Sequence, residues 1–486
     1  MMSRWLSRAC RSLLIVGACT SFLVAAPIQA QTPSANDEIK DLDLKGGNIG
    51  ISVVRLDGTP VLETNAQRRF LPASSQKLLT TIAAFHFLGD FENSGWPRGT
   101  VLTVESSATD AERPNVRLIG TGDVTLSVAP DCQLNCLSTL AETLASSDFD
   151  EIGSVIVDDT LFRPPYRPDG WSHDDLKFAY GAAVSALSAD RGEAAARISA
   201  PRQSSASPLF SWTSYPAFET DVSAVTMNSG SQELELDLQA GSNLAVFSGN
   251  LPPGTTLPLR FGLADPTNYV GQVFRAMLIE RGVNVTGGVV RSSPNSEAGH
   301  NSRVELARYA LPTPNPSETI EAILHESSNI DSEVLLQHIS LTLADRTPES
   351  GIWLVEHILA EAGAEDYEYD VADGSGLSVY NRLSPGAMTS ALSWASQQEW
   401  YEAWYPLIAA NGEDGTLSRR FVASFLPGMI RAKTGSVYGT DALAGYFTAA
   451  SGEQYAFAVF INDSGLTHRQ ARRIIDDLVL GFVRDL

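Results

Sequence analysis

The sequence predicts an α/β (α+β) fold: a five-stranded antiparallel sheet flanked by helices and interrupted by a large, mainly β insertion. Three observations predict it. Strand-like runs cluster at the two ends of the chain, at Gly47–Leu56 and Val61–Thr64 and again at Ile430–Thr434, Ala442–Ala449 and Tyr455–Asn462. Apolar residues at helical spacing fill Leu78–Leu88 near the start and Thr467–Val483 at the end, so each terminal region owns a helix to cover the sheet. Between residues 96 and 299 the texture changes to short strand-like runs separated by Gly, Pro, Ser and Asn turns.

Residues 1–30 have a basic start, an apolar stretch from Leu13 to Ala26 and a small-residue ending at Ile28-Gln-Ala30. That is the pattern of a secretory signal peptide cut after Ala30. A rival pattern, Val16-Gly-Ala-Cys19, resembles a lipoprotein box with lipidation at Cys19, but its apolar run is short and continues past it. No later stretch reaches the roughly 18 apolar residues of a membrane span, so no transmembrane span is expected after signal removal.

The mature chain begins with a polar linker. Gly47–Leu56 alternates as a strand, Asp57-Gly58 marks a hairpin and Val61–Thr64 returns. The helix from Leu78 ends near Gly89-Asp90. These elements and the C-terminal ones assign residues 31–95 and 300–486 to one discontinuous domain, with 96–299 inserted as two subdomains. Inside the insertion, strands are expected at Val101–Val104, Val116–Ile119, Ser154–Val157, Leu234–Leu238 and Leu244–Phe247, and helices at Leu137–Ser146 and Tyr269–Arg281. Pro201–Ser231 reads as irregular. Helical periodicity resumes at Pro316–Leu324, Ser332–Leu343, Gly351–Gly363 and Pro385–Gln398, before the three closing strands.

The formal charge of the 486 residues is −23, with 34 basic and 57 acidic side chains. Arg4, Arg8 and Arg11 lie in the leader, so its removal makes the balance more acidic still. Such a surface repels phosphate backbones and anionic lipid headgroups, which disfavours nucleic acid as a partner. Two of the four cysteines lie in the leader. The others, Cys132 and Cys136, are close enough to close a small disulfide loop in an oxidising compartment. None of the seven histidines is near them in sequence, so a zinc site is not expected.

The chemistry concentrates around Leu71–Thr80. Ser74 and Lys77 are three residues apart where a polar loop becomes a helix, so they share a face. A serine hydroxyl becomes a good nucleophile when a neighbouring base takes its proton, and a desolvated lysine near another cation is such a base. Only five lysines occur, at 40, 45, 77, 177 and 433. Since arginine cannot deprotonate usefully, a lysine retained in this chain is worth tracing. Lys433 opens Lys433-Thr434-Gly435, and Ser327-Ser-Asn329 stands between the two lysine motifs. Taken alone, Ser-x-Asn reads equally as a helix cap or turn. In this order, the three parts match the penicillin-recognising serine enzymes.

Further segments extend the match: Pro72-Ala-Ser-Ser-Gln-Lys77, Gly120-Thr-Gly-Asp-Val-Thr-Leu126, Tyr180-Gly-Ala-Ala-Val-Ser-Ala-Leu187, Phe247-Ser-Gly-Asn-Leu-Pro252, Asp373-Gly-Ser-Gly-Leu-Ser378 with Asn381-Arg-Leu-Ser-Pro385, and Ala432-Lys-Thr-Gly-Ser436. Through them, nearly all the mature chain resembles the class C low-molecular-mass penicillin-binding proteins, which are D-alanyl-D-alanine carboxypeptidases and endopeptidases. The resemblance implies a transpeptidase/β-lactamase-like domain interrupted by an accessory region and no metal or organic cofactor, and the signal peptide predicts a periplasmic location. Its partners would be peptidoglycan stem peptides ending in D-Ala-D-Ala, and β-lactams.

The resemblance also implies roles. Ser74 would be acylated with Lys77 as base, and Ser327 would relay a proton to the departing amine. Asn329 would hold Lys77 and the substrate backbone. Lys433 and Thr434 would meet the substrate carboxylate, with Gly435 between them and Ser436. The backbone N–H groups of Ser74 and Ser436 would hold the oxyanion, and the Ser436 hydroxyl would add a donor. Carboxypeptidase and endopeptidase activity cleave after the same D-alanine and differ only in the leaving amine.

Two departures stand out: Ser328 where many relatives carry Asp, and Val124 in place of a proline. Other readings use the same residues. A catalytically idle peptidoglycan-binding scaffold would show erosion of Ser74, Lys77 or Lys433, and all three are intact. A β-lactamase-like hydrolase needs a deacylating base such as Glu-x-x-Leu-Asn, which does not follow Asn329. An α/β-hydrolase needs Gly-x-Ser-x-Gly, which Gly374-Ser-Gly376 does not fit.

Overall fold

Both ends of the described chain enter one sheet. Strand β1 (Asn48–Arg55) turns back through Asp57-Gly58 into β2 (Pro60–Thr64), and β3 (Ile430–Val437), β4 (Thr440–Thr448) and β5 (Gln454–Asn462) complete the order β3-β4-β5-β1-β2. Every pairing is antiparallel, with Asn48 opposite Asn462, Leu443 opposite Val459 and Lys433 opposite Ala444. The computed structural model describes residues 39, 42–89, 96, 98–106, 113–202, 207–238, 244–293, 304–413, 415–421 and 428–486. The expected leader, residues 1–30, lies outside them. Residues 43–486 form one compact unit; of the separate unit 1–42, Ile39 and Leu42 are described, joined by a Leu42 N–H to Ile39 carbonyl bond of 3.5 Å.

Among the described residues the helices longer than one turn, in chain order, are α1 (Lys77–Phe87), α2 (Leu137–Ala145), α3 (Pro266–Glu280), α4 (Pro316–Glu321), α5 (Asn329–Ser340), α6 (Pro348–Glu361), α7 (Pro385–Ala395) and α8 (His468–Asp485). Strands β4 and β5 are buried along almost their whole length because helices cover both faces. On one face Ala442, Ala444, Ala456, Ala458, Tyr446 and Phe460 join a core with apolar residues of α1, α5, α6 and α7. The alanines leave room for α7 to lie against β5 and β1. On the other face Phe447 packs on Phe457 and on Phe482 of α8. A fully buried phenylalanine contributes about 1.5–3 kcal/mol relative to an exposed one. A sheet so covered reads in sequence as continuous apolar runs, as β4 and β5 do.

The intervening region builds its own cores. One mixed sheet runs in the order Val289–Arg291, Val155–Asp158, Asn115–Ile119, Val101–Glu105, Glu305–Ala310, and α2 and α3 cover it through Leu137, Leu140, Val270 and Phe274. Its last strand comes from beyond residue 299: Ala310 pairs with Val101. A second cluster, around Ile198, Phe247 and Phe261, lies among two three-stranded sheets. Here the irregular reading of Pro201–Ser231 is corrected, because Leu209–Trp212 and Glu219–Thr226 are strands. Their ladders come from Glu193–Ser199 and Leu244–Asn250, so the order is imposed by partners rather than by local pattern. Cys132 and Cys136 are joined as a disulfide just before α2. Among the described residues no helix is long and apolar enough to cross a membrane. A third small cluster, Phe162, Trp171, Val184 and Ala186 against Ile330 and Val334 of α5, seats the accessory sheets on the site described next.

Candidate active site

Ser74 sits in a tight 3-10 turn, Ala73–Gln76, that runs directly into α1 at Lys77. The turn is fixed from two sides. The Asn462 side chain at the end of β5 accepts from Leu71 N–H at 2.6 Å and donates to its carbonyl at 3.2 Å, and Ser75 donates to the Pro72 carbonyl at 2.6 Å. Lys77 is fully buried. Its Nζ donates to Ser74 Oγ at 3.1 Å, to Asn329 Oδ1 at 2.7 Å and to the Ser375 carbonyl at 2.6 Å. Those three acceptors use all the hydrogens of an ammonium. A neutral amine has two hydrogens and a lone pair. The two shorter bonds keep the hydrogens, which leaves the lone pair for Ser74. Burial pulls the Lys77 amine down from its ordinary 10.5 to about 8, against the opposing charges of Asp373, Glu333 and Asp331.

The loop Asp373–Ser378 positions the carbonyl that Lys77 uses. The buried Asp373 carboxylate accepts from Gly376 N–H, Ser378 N–H and Asn381 Nδ2, each at 2.7 Å, and from Trp171 Nε1 at 2.9 Å. Glu333 of α5 accepts from Ser375 N–H at 2.8 Å and Gly374 N–H at 3.2 Å. Burial, and then the neighbouring Asp373 charge, raise the Glu333 carboxyl to about 8. Gly376 has φ +79°, and a Cβ there would lie 1.9 Å from the Ala73 carbonyl oxygen. That glycine brings the loop against the serine turn.

Ser327 ends a π-helical turn, Ala322–Glu326, in the left-handed region at φ +66°. Ser328 is the cap of α5 and accepts from Asp331 N–H at 3.3 Å, so the plain capping reading holds for Ser328. Asn329 is the first residue of α5, which starts three residues before the expected Ser332. Besides accepting from Lys77, its amide donates to the Tyr180 carbonyl at 3.1 Å.

Strand β3 is the sheet edge beside Ser74. A Cβ on Gly435 would lie 2.8 Å from the Pro72 carbonyl oxygen and 3.1 Å from Ser74 N, so the glycine lets the strand approach. Lys433 is fully buried and donates to Ser327 Oγ and to the Thr434 carbonyl, both at 2.9 Å. Burial first, and the Lys77 charge second, push its amine well below the ordinary value. Thr434 is half-buried beside it. Ser436 departs from expectation. Its hydroxyl donates to Asp441 at 2.8 Å and accepts from Arg472 of α8 at 3.1 Å, so it is committed away from carboxylate binding.

The structure thus brings the five together as two hydrogen-bonded groups, Ser74, Lys77 and Asn329 in one and Ser327 and Lys433 in the other, close enough for the two lysine charges to act on each other, with Thr434 and Gly435 alongside. Sequence reasoning missed Glu333, the Ser375 carbonyl, and the accessory residues Trp171 and Arg191. Arg191 Nε donates to both oxygens of buried Asp331 at 3.0 and 2.9 Å, and burial outweighs that pairing to raise Asp331 to about 6. Glu333 carried a readable signal, an acid on the apolar run of a helix; the carbonyl carried none. Among the described residues no group of three or more His, Cys, Asp or Glu side chains is placed to hold a metal.

Fold and cluster together define a class: active-serine acyl-transfer enzymes in which a buried lysine adjoins the serine. The chain belongs to the D-Ala-D-Ala carboxypeptidase 3 (S13) family, whose model matches residues 32–481. It is 29% identical over 450 residues to a D-alanyl-D-alanine carboxypeptidase of Actinomadura sp. (strain R39), covering 87% of this chain and 79% of that one. It is 25% identical over 460 residues to the D-alanyl-D-alanine carboxypeptidase DacB of Haemophilus influenzae, covering 91% of each. The crystal structure of penicillin binding protein 4 from Haemophilus influenzae matches with a TM-score of 0.73 at 23% identity, covering 89% of this chain and 94% of that one. The enzyme is accordingly a low-molecular-mass penicillin-binding protein, a serine D,D-peptidase of peptidoglycan.

Proposed function

We propose that Ser74 and Lys77 cleave stem peptides after the penultimate D-alanine of a D-Ala-D-Ala end. The observation that carries this is the geometry at Lys77, where two short bonds fix the amine and its third position meets Ser74 Oγ at 3.1 Å. Ser74 Oγ attacks the D-alanyl carbonyl carbon as Lys77 takes the hydroxyl proton, and the oxyanion lies between the backbone N–H groups of Ser74 and Ser436. The C–N bond then breaks. The departing amine takes the proton Lys77 gained, relayed through Ser327, whose oxygen Lys433 holds, and leaves as free D-alanine or as the amine of a cross-bridge. Water, giving a proton to the again neutral Lys77, attacks the ester; the acyl C–O bond breaks and Lys77 returns that proton to Ser74 Oγ.

Lys433 and Thr434 face the terminal carboxylate. A carboxylate arriving beside Lys433 favours the protonated amine that burial otherwise opposes. Asn329 keeps Lys77 oriented and meets the substrate backbone. β-Lactams acylate the same serine in this account; the Haemophilus influenzae protein has been crystallised with a β-lactam. The leader pattern of residues 1–30 and the disulfide support a periplasmic location for an enzyme whose polymer lies outside the cytoplasmic membrane.

Mass spectrometry of purified muropeptides tests the reading. Wild-type enzyme should remove one D-alanine from uncross-linked pentapeptides and separate cross-linked dimers at the D-alanyl bond. Ser74→Ala should do neither and should not be labelled by a fluorescent penicillin. Labelling that survives in Ser74→Ala would remove Ser74 from the role of nucleophile.

A further inference from the structure

We propose that the accessory region carries a second binding site, a cavity that takes a carboxylate-bearing peptide of the same polymer; this rests on the peptidoglycan reading above. A cavity of about 650 Å³ lies between the turn His173–Lys177, the segment Pro216–Phe218, the strand ending at Leu238 and the start of α3. Two cations line it. Arg167 is half-buried, its Nε has no hydrogen-bond partner among the described residues, and dehydration alone lowers the guanidinium's pKa. Lys177, the one described lysine besides Lys45 that the catalytic cluster leaves unused, donates to the Leu236 carbonyl at 3.1 Å. Three acids, Asp174, Asp237 and Asp265, line the same cavity, so Arg167 and Lys177 suit the carboxylate of an occupant that also carries hydrogen-bond donors.

The rest of the lining narrows its class. Asp265 is already engaged, accepting from Asn268 N–H at 3.0 Å and facing Arg291 at 3.4 Å. Asp174 and Asp237 suit the amide and ammonium donors of a peptide, and Phe218 offers an apolar wall. A bare inorganic anion would leave those groups unmatched. The turn that lines the cavity is joined along the chain to a residue that holds the active site. Lys177 leads through Phe178 to Tyr180, whose rings stack with centroids 5.6 Å apart, and the Tyr180 carbonyl receives the Asn329 amide. In this proposal one polymer strand presents a D-Ala-D-Ala end to Ser74 and a neighbouring carboxylate to the cavity.

The test uses full-length enzyme acylated by benzylpenicillin, with occupancy confirmed by intact mass; failure to acylate would count against the active-site reading and not against this one. The probe is a disaccharide tripeptide, a muropeptide that already lacks both D-alanines, followed by calorimetry. Blocked wild type should bind it, and Arg167→Gln should weaken binding by at least about tenfold, the scale of one charge-assisted contact. Lys177→Gln should weaken it similarly, and serves as the test if Arg167→Gln lacks the wild-type circular dichroism and Tm. No binding by the blocked wild type, or undiminished binding by folded variants, would overturn the proposal. Displacement by inorganic phosphate at equal affinity would overturn the peptide assignment.

Discussion

The sheet beside the serine and the outer accessory strand Glu233–Leu238 handle charge in opposite ways. Strands β4 and β5 are covered on both faces, and next to them two lysines, Lys77 and Lys433, have no solvent exposure. The accessory strand Glu233–Leu238 alternates exposed and half-buried positions, and its three carboxylates lie on the exposed set. In the other three-stranded accessory sheet, Arg260 is two-thirds exposed while paired with Glu193. The difference teaches what the chemistry needs. A lysine in water titrates near 10.4, and well under about a thousandth of it is neutral at pH 7. A lysine held at about 8 is roughly a tenth neutral there. Full burial is what dries these two amines. The accessory region contributes from outside, where Trp171 braces Asp373, Arg191 pairs with Asp331 and the Tyr180 carbonyl receives the Asn329 amide.

The comparison breaks most completely if the dried cation loses its ability to be neutral. Lys77→Arg keeps charge and much of the bulk, but a guanidinium stays protonated and cannot take the serine proton. Acylation by a chromogenic β-lactam should fall on the order of 10⁴-fold, or about 5.5 kcal/mol of barrier. A variant that kept a tenth of the rate would move the base elsewhere. A smaller effect sharpens the contrast between the regions. Phe460→Ala, on the doubly covered sheet, should cost about 3–5 kcal/mol in urea unfolding. Leu236→Ala, half-buried on the wet accessory strand, should cost under about 1 kcal/mol. Equal costs would show that the two regions are equally well packed.

The same physical difference decided what could be read from the chain. Strands β4 and β5 were legible because burial on both faces demands unbroken apolar runs. Ser74, Lys77, Asn329 and Lys433 were legible because their chemistry requires particular side chains at particular spacings. Leu209–Trp212 and Glu219–Thr226 were not, since half-wet strands tolerate Ser, Thr and charged residues and owe their order to distant partners. Glu305–Ala310 was left out of the insertion because its pairing to Val101–Glu105 leaves no local trace. The Ser375 carbonyl is backbone, which any residue supplies. The Ser436 hydroxyl was assigned to substrate because neither Asp441 nor Arg472, which hold it, is placed by spacing alone.

The central claim is that Lys77 acts as a neutral amine because its surroundings are dry. It is tested most directly by the pH dependence of wild-type acylation by a β-lactam between pH 6 and 10. The active form is the deprotonated one, so the fraction ready to react grows as pH rises through the amine's pKa. The second-order rate constant should therefore climb about tenfold per pH unit in the acid range, bend near the value of about 8 set by burial, and stop rising above it. A rate that is flat from pH 6 to 9, or that still climbs tenfold per unit above pH 9, would contradict the account.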